Sequence, residues 1–392
     1  MRRLLVPLLV LAALIAGITL GGHPELLPGF VRDVFVGDKD TRVITEAIDK
    51  INARYYREVP EDKLADAAIA GAVDSLDDRF SRYLNPDEYR QFNNTTHNAY
   101  EGVGISVSPI KAGLRVIETY DGSPAKRAGI KPGDVITRAA GRSLAGKAAA
   151  RGDDLIKGPP GTKVKLTVRT AGKDRELVVA RARVTVPVVA SRMRTFDGTK
   201  FGVAHLAGFT SGAHGELGAA LKKLLDDGAK GIVFDLRGNG GGLVSEAQLI
   251  ASEFLDGGVV VSTRGRSVSS ETLKTKGDPI VPAGDPVVVL VDRNSASASE
   301  IVTGALQDHD RAKVVGTRTF GKGVFQQILD LSNGGALDIT AGQYFTPDGR
   351  NLGGRGVKTG TGIKPDVKAK DDPKTRADEG LDKALGVLAG EQ

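Results

Sequence analysis

Apolar and polar positions divide the chain into three successive patterns. Apolar residues at helical spacing predict helices over 40–57, 62–76 and 87–94. From Ala99 to about residue 183, short alternating segments between glycine turns predict strands. From about Val184 to Val367, apolar strand-like runs alternate with amphipathic helical segments, which predicts an α/β layer arrangement. The pattern therefore predicts a multidomain protein of mixed α+β and α/β class.

One stretch of the third region combines a buried strand with a cluster of serines. The apolar run Val287–Val291 predicts a short, fully buried strand, and small polar residues follow it before helical spacing resumes. Ser297 and Glu300 have the spacing of a capping box, which places Ser297 at the N-cap of that helix. A serine here could simply cap the helix. Free backbone N–H groups at a helix N-terminus can also stabilise an oxyanion, so acyl transfer is the alternative.

Lys322 follows in the turn Phe320–Gly323, where glycines stand on both sides of it. A solvated lysine has a pKa of about 10.4 and is charged at neutral pH. Burial can lower that pKa by several units and make the amine a base that removes the proton of a serine. We therefore expect Lys322 to be desolvated and to contact Ser297.

These two segments resemble the C-terminal processing peptidases, or tail-specific proteases, which are serine–lysine peptidases. The resemblance rests on the run Ser295–Ile301, the turn Phe320–Gly323 and Gln326, which follows the lysine by four residues. It implies that Ser297 is the nucleophile and Lys322 the base, with Gln326 orienting the lysine. It covers residues 40 to 367, and it implies a serine endopeptidase that cleaves near the C-terminal tails of proteins.

A glycine-rich turn completes the resemblance. The predicted buried strand 230–236 runs into Arg237–Gly242, and a helix is predicted over 243–255. The family has a similar turn with proline where this chain has Gly240. The resemblance implies that one N–H of this turn, from Gly241 or Gly242, and the N–H of Ala298 form the oxyanion hole.

The second region resembles a PDZ domain. Its strongest mark is the run Gly-Ile-Lys-Pro-Gly-Asp-Val-Ile at 129–136, and a closing hairpin is predicted over 165–179 with its turn at Ala171-Gly172. PDZ domains bind an extended peptide by strand addition and hold its terminal carboxylate with backbone N–H groups. The resemblance implies that this carboxylate loop consists of four residues: Gly102, Val103, Gly104 and Ile105.

The N-terminus predicts the compartment. Arg2 and Arg3 precede the apolar run Leu4–Leu20, which is typical of either a cleaved signal peptide or an uncleaved signal anchor. By the positive-inside rule, the rest of the chain lies outside the cytoplasmic membrane, in the periplasm or cell envelope. The segment would provide the membrane contact. The expected domains are a signal segment, N-terminal helices, the PDZ domain, the peptidase core and a charged tail expected to fray: 1–22, 38–97, 98–183, 184–369 and 370–392.

The segment Asp78–Leu84 resembles the family's linker between N-terminal helices, and such helices often carry dimerisation in the family. We therefore expect protein or peptide substrates with unstructured C-terminal tails, and a homodimer formed through the N-terminal helices.

Composition removes several classes of function. The chain has no cysteine, which excludes disulfides and thiol catalysis, and no tryptophan, with few aromatic residues to stack nucleic-acid bases. The net charge of +6 is not concentrated in a block. No histidine pair has the spacing of a zinc peptidase, and we expect no metal, cofactor or nucleic acid.

Two alternatives belong to other classes. A PDZ scaffold could bind tails without cleaving them, but it would have no use for Ser297, Lys322 and Gln326 together. A nucleotide-binding enzyme could use Gly316–Lys322, which has the G-x-x-x-x-G-K spacing of a P-loop but lacks the Ser or Thr that binds magnesium.

Overall fold

The computed structural model describes residues 39–96, 99–146, 152–353 and 362–390. It has two compact units, one ending at Asp77 and the other beginning at Asp78. The signal segment predicted over 1–22 lies outside the described residues. Within the described ranges, no helix is long and apolar enough to cross a membrane.

The first unit contains two helices, α1 (Lys39–Arg54) and α2 (Glu61–Asp74). Pro60 occupies the N-cap of α2 with an extended backbone, which separates the helices as a proline before a first turn should. Apolar side chains on α1 remain in solvent: Val43 is 56% exposed and Ile44 is 53% exposed. The amphipathic pattern predicted both helices, and this apolar face has no cover within its own unit.

The second unit begins with β1 (Arg82–Leu84) and α3 (Pro86–Thr96), followed by a small β-rich domain. The strands of that domain are β2 (Ala99–Gly102), β3 (Ile105–Ile110), β4 (Gly113–Thr119), β5 (Val135–Ala139), β6 (Arg142–Ser143), β7 (Lys163–Thr170), β8 (Lys173–Ala180) and β9 (Ala182–Thr185). Its short helices are α4 (Pro124–Arg127) and α5 (Gly152–Ile156). The sheet order is β3-β4-β5-β7-β8, with β6 on β5, and β2 pairs with β9 separately. Strand β3 is therefore an edge strand.

The hairpin β7–β8 forms at the predicted turn. Ala171 and Gly172 both have positive φ, 49° and 81°. Two successive residues with positive φ are the requirement of a type I′ turn, whose twist matches that of the flanking strands. The strands pair from Lys163 opposite Ala180 to Thr170 opposite Lys173, so they extend beyond the predicted segments at both ends.

The larger domain is built on a six-stranded sheet in the order β10-β11-β12-β15-β16-β19. Its strands are β10 (Val189–Phe196), β11 (Thr199–Leu206), β12 (Ile232–Asp235), β15 (Val287–Val291), β16 (Lys313–Gly316) and β19 (Val367–Lys368). Only the β10–β11 pair is antiparallel. Helices α6 (Ala213–Asp226), α7 (Val244–Ser252) and α8 (Ala298–Asp308) cover one face.

Strand β15 shows why apolar and polar residues do not alternate along the central strands. Val287, Val289 and Val291 pack with the three helices, and Val288 and Leu290 pack on the opposite face. All five side chains are buried, as a strand with both faces covered requires.

A second, five-stranded sheet stands beside the first. It consists of β1, β13 (Val259–Gly265), β14 (Glu271–Lys274), β17 (Val324–Asp330) and β18 (Ala336–Phe345). Strand β18 runs without interruption from Ala336 to Phe345. It pairs with β1, β13 and β17, so one strand joins the segment around residue 82 to the core.

The C-terminal region corrects the expectation of a fraying tail. Helix α9 (Glu379–Leu388) packs Leu381 and Leu385 against the second face of the six-stranded sheet. Asp378 accepts from the Leu381 amide at 3.0 Å and caps the helix. The sheet needs this cover because Val288 and Leu290 point away from the other helices.

Ion pairs of Arg237 connect the same C-terminal region to the sheet. Its guanidinium bridges Asp235 at the end of β12, at 2.8 Å, to Asp378 at 2.7 Å and Asp371 at 3.2 Å. Burial opposes ionisation of Asp235, but the nearby His205 ring, 3.9 Å away, and the hydrogen-bonded Arg237 guanidinium outweigh it and hold its pKa at about 2. The pair therefore stays ionic at neutral and mildly acidic pH.

Leu385→Ala tests whether α9 belongs to the core. Leu385 is 3% exposed, so the substitution should lower the free energy of unfolding by about 2–5 kcal/mol, measured by urea denaturation. Val178→Ala, at a position 66% exposed, is the control and should change it by no more than about 0.5 kcal/mol. A frayed helix would give Leu385→Ala the same small effect as the control.

Candidate active site

Ser297 lies at the turn between β15 and α8, as predicted, and forms the N-cap of α8. Its φ of 56° and ψ of −114° are unusual for a residue with a side chain. Such strain persists only where the surroundings impose it, and it occurs preferentially at functional sites. The side chain is 6% exposed.

The glycine turn 237–242 lies in close contact with Ser297. A Cβ added to Gly241 would lie 2.8 Å from the Ser297 Cβ and 2.7 Å from the carbonyl oxygen of Ala296. No side chain fits in that space, and Gly241 also has a φ of 102°. The turn predicted from its glycines is therefore in contact with the predicted nucleophile.

Asn239 holds the two segments together. Its Nδ2 donates to the Leu206 carbonyl at 2.8 Å, and its Oδ1 accepts from the Gly241 amide at 2.9 Å. Its own carbonyl accepts from the Ala296 amide at 3.0 Å and from the Ser299 hydroxyl at 2.8 Å. This fully buried asparagine thus fixes both the glycine turn and the serine turn.

The amides near Ser297 differ in whether they have partners. The Gly241 amide is occupied by Asn239. The amides of Gly242 and Ala298 have no hydrogen-bond acceptor in the described ranges. The sequence left Gly241 and Gly242 as alternatives for one donor, and the hydrogen bonding distinguishes them.

Glu300 is the centre of the site and is completely buried. Its carboxylate accepts from the amides of Ser297 at 2.9 Å, Gly321 at 2.7 Å and Lys322 at 2.9 Å, and from the Thr319 hydroxyl at 2.5 Å. Burial raises the pKa of Glu300, although these four donors favour its ionised form. The Ser297 and Lys322 amides share Oε2, so these two nitrogens lie within about 6 Å of each other.

The same contacts explain the P-loop-like spacing at 316–322. In a P-loop, backbone amides of such a turn point at phosphate. Here the amides of Gly321 and Lys322 point at the Glu300 carboxylate, which belongs to the protein itself. The anion site of the turn is filled, and the nucleotide alternative loses its support.

Lys322 is half-buried, and its Nζ donates to Gln326 Oε1 at 2.6 Å. Gln326 in turn donates from Nε2 to the Thr340 hydroxyl at 3.2 Å, so its orientation is fixed. Burial lowers the pKa of Lys322, and the nearby carboxylate of Asp338 offsets this only in part. The expected desolvation of the lysine is present.

The expected contact between the Lys322 and Ser297 side chains is not made as a hydrogen bond. No hydrogen bond joins the two side chains in the described part of the chain. The Tyr344 phenol lies near the Ser297 side chain, and burial raises the pKa of Tyr344. Tyr344 is 2% exposed, and its ring lies 5.4 Å from that of Phe325. Nucleophile and base candidates therefore share one site without a hydrogen bond between their side chains.

The segment predicted to be a linker also belongs to the site. The Phe80 ring centroid lies 5.0 Å from Lys322 Nζ. The Ser81 hydroxyl donates to Asp78 at 2.6 Å and accepts from the Thr340 amide at 3.0 Å. Neither Phe80 nor Tyr344 was among the residues predicted for the site. The only signal for Phe80 was an aromatic residue within a polar run.

The predicted PDZ loop lies in the small domain, which has its own hydrophobic core. Gly104 has a φ of 86°, and a Cβ there would lie 2.2 Å from the Ser123 Cβ. Val103 is buried, and its carbonyl accepts from the Ala125 amide at 2.8 Å. In the described ranges the amides of Val103 and Gly104 donate to no acceptor. Ile105 begins the edge strand β3, next to these amides.

Family models of known proteins match three parts of the chain. The model of peptidase family S41 matches residues 200–369, that of the PDZ domain matches 102–180, and that of the activating protease CtpB N-terminal domain matches 33–88. A probable CtpA-like serine protease of Staphylococcus haemolyticus is 34% identical over 360 residues, covering 91% of this chain and 71% of that protein. One of Staphylococcus aureus is 38% identical over 318 residues, covering 81% of this chain and 62% of that protein.

A solved structure also resembles the chain along most of its length. The photosystem II D1 C-terminal processing protease is 28% identical, with a TM-score of 0.52, and the match covers 89% of this chain and 98% of that one. Its match extends beyond the larger domain and covers most of the chain.

Glu300→Gln tests the importance of the buried carboxylate. A glutamine amide has only one acceptor oxygen. Its NH₂ group would face backbone N–H donors, from which it cannot accept a hydrogen bond. We expect the free energy of unfolding to fall by about 1–3 kcal/mol in chemical denaturation. Glu118→Gln, on an exposed strand position of the small domain, is the control. Equal stability of the two variants would show that the donors around residue 300 do not depend on its charge.

Proposed function

Because the chain belongs to the C-terminal processing serine proteases of peptidase family S41, we propose that Ser297 is its nucleophile and Lys322 its general base. The observation that carries this assignment is the shared Glu300 carboxylate, which binds the amides of both residues. The lowered pKa of Lys322 supports it, since a base must be neutral before it can accept a proton.

In the proposed reaction, the Ser297 hydroxyl turns towards Lys322 when the substrate binds. Lys322 Nζ takes the hydroxyl proton as Oγ attacks the scissile carbonyl, and the ammonium then donates this proton to the leaving amine. Water hydrolyses the acyl-enzyme by the same transfers in reverse. Gln326 holds Nζ in place through its hydrogen bond of 2.6 Å.

The amides of Ala298 and Gly242 are the proposed oxyanion donors. Neither has an acceptor in the described ranges, and both lie in turns that Asn239 fixes. Pre-oriented donors of this kind stabilise the tetrahedral intermediate without any reorganisation during the reaction. Gly241 has a different role: because it lacks a side chain, the turn can approach Ser297 closely.

The PDZ domain is proposed to bind the C-terminal tail of the substrate. The partner-free amides of Val103 and Gly104 would hold its carboxylate, and the edge strand β3 would pair with its backbone. Gly102 and Ile105 border these amides on either side. Tail binding should therefore require a free carboxylate, which fluorescence anisotropy of carboxylate and carboxamide peptides would measure.

Two further assignments concern location and assembly. The charged start and apolar run of residues 2–20 support an extracytoplasmic location with membrane contact, which cell fractionation would test. The exposed apolar residues of α1 support a homodimer, and Ile44→Lys should shift sedimentation towards the monomer.

The catalytic assignment is tested by proteolysis of an unfolded protein with an apolar C-terminal tail. Wild type should cleave it, while Ser297→Ala and Lys322→Ala should lose at least about 10³-fold in kcat/KM with their folds intact. Circular dichroism checks folding. Cleavage that survives in Ser297→Ala would mean that another residue is the nucleophile. A wild type that binds the tail and never cleaves it would favour the PDZ scaffold.

Gln326→Glu tests the base through its pH dependence. Wild-type kcat/KM should rise with pH as Lys322 loses its proton, at a pKa below the ordinary value of about 10.4. A carboxylate at position 326 stabilises the ammonium and raises that pKa, so the rising limb of the profile should move to higher pH. Because the neutral amine then becomes scarcer at pH 7.5, kcat/KM at that pH should fall by up to about tenfold for every pH unit that the limb moves.

Gln91→Glu adds the same charge on the exposed surface of α3 and is the control, with an unmoved profile. If Gln326→Glu lowers kcat/KM equally at every pH, the residue acts on something other than the protonation of Lys322.

A further inference from the structure

A cavity of about 600 Å³ opens beside the candidate active site. Gln326 and Tyr344 line it; Gln326 binds the Lys322 amine, and the Tyr344 phenol lies near the Ser297 side chain. Its volume lies within the range of about 300–1,000 Å³ typical of ligand sites. A substrate bound for attack by Ser297 would therefore place a side chain next to or inside this cavity.

The position of the cavity relates it to one side of the scissile bond. Val244, the first residue of α7, lines it and follows the glycine turn by two residues. The carbonyl under attack would lie against that turn, with its oxygen near the Gly242 amide. The side chain that reaches the cavity thus belongs to the residue that contributes this carbonyl, the one before the scissile bond.

The walls suit a long side chain with a polar end. Val244, Leu273 and Phe325 offer apolar surface, and serine, threonine and glutamine side chains make up most of the rest. Basic side chains bury their aliphatic stems on such surfaces and keep their charged ends near water.

The charge of the cavity comes from one residue. Glu271 is the single charged side chain that lines it, and this carboxylate is exposed. In the described ranges it has no ion pair with any lysine, arginine or histidine. A carboxylate at the rim, with no cation in the cavity, favours a ligand that supplies the positive charge.

The wall that carries Glu271 is held in place. Glu271 begins β14 and pairs with Thr263 of β13. The next pair, Ser262 and Thr272, is joined through its hydroxyls at 3.2 Å. Gln248 of α7 donates from Nε2 to the Lys274 carbonyl at 2.6 Å, so the strand is also tied to the helix across the cavity. A fixed wall keeps the carboxylate at a constant distance from the site.

We propose that this cavity binds a lysine or arginine side chain of the substrate residue that precedes the scissile bond, and that Glu271 determines this preference. The inference rests on the proposed serine–lysine peptidase activity. It adds a substrate class to that activity: tails that carry a basic residue at the point of cleavage.

The test uses peptides that differ only at the residue before the scissile bond, where they carry lysine, its uncharged analogue norleucine or glutamate. Wild type should show kcat/KM at least about tenfold higher for lysine than for norleucine. Glu271→Gln should bring this ratio to near one, and Glu271→Lys should make glutamate the better residue. Glu58→Gln, which removes an exposed charge from the first unit, is the matched control and should keep the wild-type ratio. Mass spectrometry of the products locates the cut, and thermal unfolding confirms that each variant folds.

Each outcome decides a separate point. Equal cleavage of the lysine and norleucine peptides by wild type would overturn the subsite and leave the peptidase assignment standing. A lysine preference that persists in Glu271→Gln would overturn the role of Glu271. Failure of wild type to cleave any peptide or an unfolded protein would overturn the proposed function, and the subsite with it.

Discussion

A buried carboxylate organises the site. Glu300 accepts hydrogen bonds from the serine turn and from the lysine turn, and the two turns are far apart in sequence. A charge in a protein interior is costly unless every lone pair finds a donor, so the surrounding backbone is constrained to supply donors. That constraint sets the positive φ of Ser297 and the path of the chain through Lys322. The serine turn and the lysine turn lie next to each other because both donate to the same anion.

Several parts of this arrangement could be predicted from the sequence, because they are local. The capping spacing of Ser297 and Glu300 fixes the start of α8, and the apolar run 287–291 indicates a strand covered on both faces. The glycines of the turn at 237–242 indicate a close approach of backbone, which Gly241 makes against Ser297. These features need only neighbouring residues and elementary stereochemistry.

The remaining parts depend on contacts between distant segments. Phe80 lies over the Lys322 amine because β1 pairs with β18, and no spacing within residues 78–84 predicts that pairing. Tyr344 reaches Ser297 through the position of β18 in the second sheet. The choice between Gly241 and Gly242 depends on Asn239, which occupies one of the two amides. Helix α9 was expected to fray because its apolar pattern is short. The helix is stable where these apolar residues cover an otherwise open face of the sheet.

The position of that helix affects the order in which the fold can be completed. Arg237 begins the glycine turn that faces Ser297, and two of its three carboxylate partners, Asp371 and Asp378, lie beyond the last strand of the sheet. During synthesis or transport, a chain that has emerged only to residue 370 has all the residues proposed for catalysis. It still lacks the ion pairs on one side of Arg237 and the apolar side chains that cover Val288 and Leu290. The domain becomes complete only when its final helix has docked.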